Sequence, residues 1–274
     1  MGKQSAGFTL LELIFVVVLL GIVSAATFSY LGTGARMYAD AADREELLSK
    51  SRFAVERLTR ELRNVVPNSV RVSDNGYCIE FAPLVKAGRY SSSLNSGTTS
   101  LFSPAGWGAL FPSPPPTLFM TVYPLDAQAD IYNRGKVVST GAGLSFASYT
   151  PPNPSVTVNF TAPVTALSSA SQRMYFFTAP VVYCVRGTEL HRYQRTALVS
   201  SAATAAALGA GMPMAANLST ASNGFYNRNS VAPFSYNNSV VLTRNAVVQM
   251  RLAFVSAQND ELVFNQEIHI PNVP

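Results

Sequence analysis

Gly7-Phe8-Thr9-Leu10-Leu11-Glu12 opens the longest apolar stretch of the chain, which continues from Leu13 to Leu31. Ahead of it lies a short leader whose single charge is Lys3. Between Phe8 and Ala35 the only charged side chain is Glu12. A lone carboxylate inside a membrane-length segment is costly, roughly 2.5–3.5 kcal/mol at a bilayer centre and less near the interface. Such a residue is normally held there by a partner.

Phe8 to Leu31 is 24 residues, or about 36 Å as a helix, enough to cross a bilayer. An ordinary secretory signal has about 7–15 apolar residues and then a small-residue cleavage site. Ser24-Ala25-Ala26 could serve as one, but the run is too long and Glu12 sits at its wrong end. A plain single-pass anchor explains the apolar length and leaves Gly7, Phe8 and Glu12 unexplained.

Beyond Leu31 nothing stops the helix cleanly. Gly32 and Gly34 are weak points, each costing about 1 kcal/mol against Ala. An apolar stripe then runs through Leu47, Leu48, Phe53-Ala54-Val55, Leu58, Leu62 and Val65-Val66 at steps of three and four. Glu56 and Arg60 form an i,i+4 pair of favoured polarity. Pro67 and Asn68 end the helix. The rod Thr9 to Val66 would measure about 87 Å if straight.

After Pro67 the pattern changes to period two. Strands are expected at 77–81, 118–123, 156–160, 174–177, 181–186, 190–195, 240–243, 247–255 and 262–270. Hairpins are expected across Gly187-Thr188 and across Gln258-Asn259-Asp260. Residues 90–117, 139–155 and 200–238 read as long loops, and their aromatics (Phe102, Trp107, Phe111, Phe225, Tyr226, Phe234, Tyr236) suggest packing onto a domain.

The 274 residues are 48% hydrophobic and 13% charged, with a formal charge of +5. That length suits one sizeable domain plus an anchor, or two small domains. No Lys/Arg-rich run marks a nucleic-acid patch, so a nucleic-acid partner is not expected. His191 and His269 lie far apart on strand patterns, and no nucleophile–base set, phosphate loop or metal motif is visible. No catalysis and no cofactor are expected. Asp126 with Asp130, and Asn259-Asp260-Glu261, offer oxygen ligands of the kind calcium takes, and are equally ordinary turn residues.

The N-terminal pattern resembles the class III signal of type IV pilins and type II secretion pseudopilins. The resemblance implies cleavage by a prepilin peptidase after Gly7, N-methylation of Phe8, and pairing of Glu12 with the free N-terminus of a neighbouring subunit. It implies an α+β lollipop: leader 1–7, transmembrane helix 8–31, amphipathic continuation 32–66, and a β-rich periplasmic or extracellular domain, 67–274, on an antiparallel sheet. The anchor lacks the helix-kinking Pro common in these pilins; Ser29 stands near that place. In an exported protein, Cys78 and Cys184 form a disulfide or remain two buried thiols, and the even count invites the bridge.

Arg52-Phe53-Ala54-Val55-Glu56-Arg57-Leu58, Arg60-Glu61-Leu62-Arg63-Asn64 and Pro67-Asn68-Ser69-Val70-Arg71 resemble the MshO-type minor pilins of mannose-sensitive haemagglutinin pili. Tyr77-Cys78-Ile79-Glu80-Phe81, Val182-Tyr183-Cys184-Val185 and the ending His269 to Pro274 fit the same group. The resemblance implies a structural subunit, first in the inner membrane and then in a pilus, that primes assembly and caps the tip. Its partners would be other minor and major pilins and an inner-membrane assembly platform. A J-type pseudopilin of a secretion apparatus and a tip adhesin or DNA-capturing pilin are the other readings.

Overall fold

The computed structural model describes residues 9–91, 94, 97–102, 117–140, 142–147, 155–160, 164, 169–220, 224–237 and 246–270. A single helix, α1 (Leu10–Arg63), runs unbroken through Gly32 and Gly34 for 54 residues, about 81 Å. Thr9 caps it: its backbone is extended and its Oγ1 accepts from the Glu12 N–H at 3.3 Å. Residues 10–46 are exposed, and burial begins at Leu47.

The buried stripe is Leu47, Ser51, Ala54, Val55, Leu58 and Leu62. Phe53, expected in it, is 57% exposed. Ser51 takes the place in register, because its hydroxyl donates back to Leu48 O and leaves no polar atom facing the core. No ion pair joins Glu56 and Arg60. Arg57 pairs instead with Glu61, which also holds Arg192 from the sheet, each at 3.1 Å. The helix ends three residues earlier than expected. Val65 leaves it to bridge Pro83, and Val66 N–H donates to Ala82 O, an extended geometry that β-branched residues favour.

The strands follow in chain order. β1 (Arg71–Ser73), β2 (Cys78–Phe81), β3 (Leu84–Tyr90), β4 (Thr98–Phe102), β5 (Phe119–Val122), β6 (Val137–Thr140), β7 (Gly143–Phe146) and β8 (Ser155–Phe160) come first. β9 (Arg173–Phe177), β10 (Val181–Arg186), β11 (Glu189–Gln194), β12 (Met212–Ala215), a helical turn α2 (Phe225–Arg228), β13 (Phe234–Asn237), β14 (Ala246–Val255) and β15 (Glu261–Ile270) complete the chain. Both expected hairpins form, β10–β11 around Gly187 (φ 58°) and β14–β15 around Asn259 (φ 64°). The expected strand 240–243 lies outside the described residues.

These strands build more than one antiparallel sheet. A five-stranded sheet, β1-β2-β10-β11-β12, and a three-stranded sheet, β13-β14-β15, wrap the buried stripe of α1. The residues just after β12 stitch the two together, with Ser219 N–H donating to Ala253 O and Val255 N–H to Asn217 O. The remaining strands close a barrel in the order β3-β4-β8-β7-β6-β5-β9, with β6 and β7 parallel. Its interior is a separate core that includes Leu101, Met120, Val158, Met174 and Phe176.

The barrel is an insertion. It occupies the sequence between β2 and β10, which are themselves paired neighbours. The three stretches expected as loops contain β4, β7, β12, α2 and β13, and the second also takes in the end of β6. Of their aromatics, Tyr226 and Phe234 are buried, whereas Phe102 is 51% exposed; Trp107 and Phe111 lie outside the described residues.

Candidate functional site: the helix start, the disulfide and the arginine node

Gly7 and Phe8 lie outside the described residues. Glu12 is the third residue from the Thr9 cap, in the first turn of α1. A carboxylate there faces the partial positive charge of the unpaired N–H groups. It is exposed, and the side chains that follow are an all-round apolar surface from Leu13 to Leu31. The helix is long and apolar enough to cross a membrane, and its apolar half is not buried against the rest of the chain. That surface is consistent with membrane anchoring.

Cys78 and Cys184 are joined in a disulfide. They are cross-strand partners in β2 and β10, with Cα atoms 4.2 Å apart. Val185 N–H donates to Tyr77 O beside them, so the pair sits where the ladder has no direct bond and strands approach closest. The bridge is fully buried and packs against Val182, Tyr193 and Ala203. It lies at the end of the β2–β10 pair away from the barrel.

A third feature had no counterpart in the sequence reading. Glu80, in β2, is fully buried between two arginines. Arg71 Nη2 lies 2.8 Å from Glu80 Oε2, and Arg195 Nε lies 2.7 Å from Oε1. Arg71 also donates to Gln128 Oε1 at 2.7 Å and to the carbonyls of Val199, Ser200 and Ser201. Its guanidinium lies 3.6 Å over the Tyr132 ring, a desolvated cation–π geometry. Burial pushes the Tyr132 phenol well above its usual range, and the Glu80 charge adds to the rise. The phenol therefore stays a donor, to Ser69 O at 3.0 Å.

Gln128 and Tyr132 belong to a wide helical turn of the barrel, Ala127–Tyr132. Arg71 thus fastens the barrel to the helix–sheet body, assisted by Asn68 donating to Pro124 O at 2.9 Å. Arg71 and Glu80 face each other across the Asp74-Asn75-Gly76 turn. Arg195 carries no local signal.

The oxygen-rich loops are engaged internally. Asp126 caps the wide turn by accepting from Ala129 N–H. Asp130 accepts from the N–H groups of Leu125 and Asp126 and from Lys136 Nζ at 2.9 Å. Burial alone would raise the Asp130 pKa, but these donors outweigh it and hold it below the usual value. Glu261 pairs with Arg228, a cation that opposes metal binding at 259–261. Among the described residues no group of His, Cys, Asp and Glu gathers as a metal site. His191 pairs with Glu189 at 2.7 Å, and His269 is exposed on β15.

The prokaryotic N-terminal methylation motif matches residues 2–28. No curated protein and no solved structure matches the chain. The motif implies processing by a prepilin peptidase and assembly with other pilins, the role of a structural subunit. A methylation motif on a long exposed apolar helix, followed by a disulfide-bonded β-rich domain, marks the chain as type IV pilin-like, a pilin or a pseudopilin.

Proposed function

We propose that the protein is a minor pilin of an MSHA-type pilus, similar to MshO, that primes filament assembly and caps the tip. In this reading the peptidase cuts after Gly7, Phe8 becomes the methylated N-terminus, and Glu12 pairs with the amino terminus of a neighbouring subunit. Residues 8–31 span the inner membrane and the β-rich region from Pro67 lies in the periplasm before extraction. The observation that carries the reading is the barrel inserted between β2 and β10. It adds bulk to the β-rich region, which suits a position with no subunit stacked above it better than a repeating shaft.

The testing experiment is peptide mass spectrometry on sheared surface filaments, searching for an N-terminal peptide that begins at Phe8. A methylated Phe8 peptide at low stoichiometry against the major subunit is the expected result. A processed chain confined to the cell-bound fraction would favour a J-type pseudopilin. An uncleaved N-terminus would overturn the reading.

A further inference from the structure

β15 is an edge strand. It pairs with β14 along its full length, from Ala246↔Ile270 to Val255↔Glu261, and with no other strand among the described residues. Ser256 N–H donates to Asp260 O, which sets the alternation of the ladder. Leu262, Phe264, Gln266, Ile268 and Ile270 therefore turn their backbone groups to β14. Glu261, Val263, Asn265, Glu267 and His269 turn theirs outward. Natural edges are usually short, bulged or interrupted by Pro. β15 is ten residues long, regular in register and free of Pro.

The edge runs beside α1. Gln258 donates to Asp40 at 3.0 Å and Thr59 to Gln266 at 2.9 Å, so β15 climbs the helix in the helix's own direction. Between them lies an open groove of about 530 Å³ lined by Glu56, Thr59, Arg60, Arg63, Gln266 and Glu267. Phe53, 57% exposed, continues the same helical row as Glu56, Arg60 and Arg63. Neither Arg60 nor Arg63 has a carboxylate partner among the described residues.

We propose that this edge accepts an extended strand from a different pilin-like subunit. The strand adds to β15 through the outward N–H and C=O groups, and its helix-facing side chains run along the α1 row. Their chemistry follows from that row: an apolar side chain near Phe53 and a carboxylate near Arg60 and Arg63. A second copy paired edge to edge by a two-fold axis would point the two apolar helices in opposite directions. That excludes it for chains anchored in one membrane. The proposal rests on the assembly role given above.

The test uses the full chain in cells, with a benzoylphenylalanine photocross-linker at Val263 and a control at exposed Glu189. The expected result is a cross-link from position 263 to one contiguous segment of another pilin-like subunit, mapped by mass spectrometry. It is lost in Asn265→Pro, which removes an outward N–H and leaves the β14 ladder intact. It is weakened in Arg60→Glu/Arg63→Glu, which leaves the strand unchanged and guards against a misfolded proline variant. A processed, filament-borne chain with no cross-link above the control, or with cross-links only to its own kind, overturns the edge proposal alone. An unprocessed chain absent from filaments overturns the assembly role and the edge proposal together.

Discussion

Phe81 and Val181 are cross-strand neighbours in β2 and β10, yet the entire barrel is threaded between them in sequence. The strand pair therefore does not depend on what joins it. Replacing residues 82–180 by Asn-Gly, a two-residue link suited to antiparallel neighbours, is expected to leave a folded helix–sheet body. Stability should fall, because Asn68, Ser69 and Arg71 lose partners in the barrel, at about 1 kcal/mol for each lost hydrogen bond. A cooperative thermal transition with the disulfide formed is the expected readout; a shortened chain without one would show the barrel to be integral to the fold.

The disulfide closes a sequence separation of 106 residues. In the chain-entropy model a loop near 100 residues is worth up to about 4.7 kcal/mol. Cys78→Ala/Cys184→Ala is expected to lower the denaturation midpoint strongly and to steepen the slope, since the native β2–β10 ladder persists while the unbridged unfolded chain exposes more surface. Reductant should shift the wild-type midpoint the same way and leave the variant unmoved. A reductant-insensitive wild type would contradict this.

At the arginine node the sign of the effect depends on which group is removed. Arg71→Ala leaves Glu80 with one counter-ion and the Val199 and Ser201 carbonyls without their donor, while Ser200 O keeps Gln128 Nε2. Breaking a buried pair this way costs about 3–5 kcal/mol. Exchanging the ion pair for apolar groups, Arg71→Met with Glu80→Leu, is expected to recover much of that loss. Urea unfolding of the two variants separates the cases. A double variant no better than the single one would mean the carbonyl contacts, not the charge pair, dominate.

Asp130 gives a pH-dependent counterpart. Its folded pKa is depressed, so its contribution is present above the unfolded value of about 3.9 and fades as pH falls through the lower folded value. Asp130→Asn keeps an acceptor oxygen but loses the attraction to Lys136. The variant is expected to be less stable than wild type at neutral pH and to converge with it in acid. Parallel melts from pH 7 to pH 3 check this, and a constant difference would refute the charge argument.

What was legible in the sequence divides along the range of the interactions. The helix was readable because its apolar surface, its cap region and its stripe are local. Both hairpins were readable because Gly187 and Asn259 sit in two short turns between alternating runs. The barrel was not. Its closure joins β4 to β8 and β5 to β9, strands far apart in the chain, and β4 reads as Thr98-Thr99-Ser100-Leu101-Phe102 inside a Ser- and Gly-rich stretch. β12 carries Pro213, which marks an edge only once its neighbour is known. Glu12 and the two cysteines stood out because each is rare in its context. Arg71, Glu80 and Arg195 carried no such mark, since only the tertiary fold brings them together and buries them. Phe53 failed for the converse reason: a three-and-four periodicity accepts it, but the sheets cover only the neighbouring row.

Glu12 carries two physical roles that one substitution set separates. At the third helical position its charge favours the helix N-terminus by about 0.3–1 kcal/mol. As the lone carboxylate of the apolar segment it is also the group proposed to bind a neighbour's amino terminus. Glu12→Gln keeps the size and the Thr9 cap and removes the charge. It is expected to insert normally, because one costly charge leaves the membrane segment. Its ratio of filament-borne to membrane-borne protein should drop about tenfold or more, equivalent to about 1.4 kcal/mol. Glu12→Asp restores the charge on a shorter arm, serves the helix terminus equally well, and reaches an inter-subunit amine less well. Recovery to the wild-type ratio in Glu12→Asp would assign the residue to its own helix, whereas partial recovery would assign it to the partner. Normal incorporation of Glu12→Gln would remove the assembly role altogether.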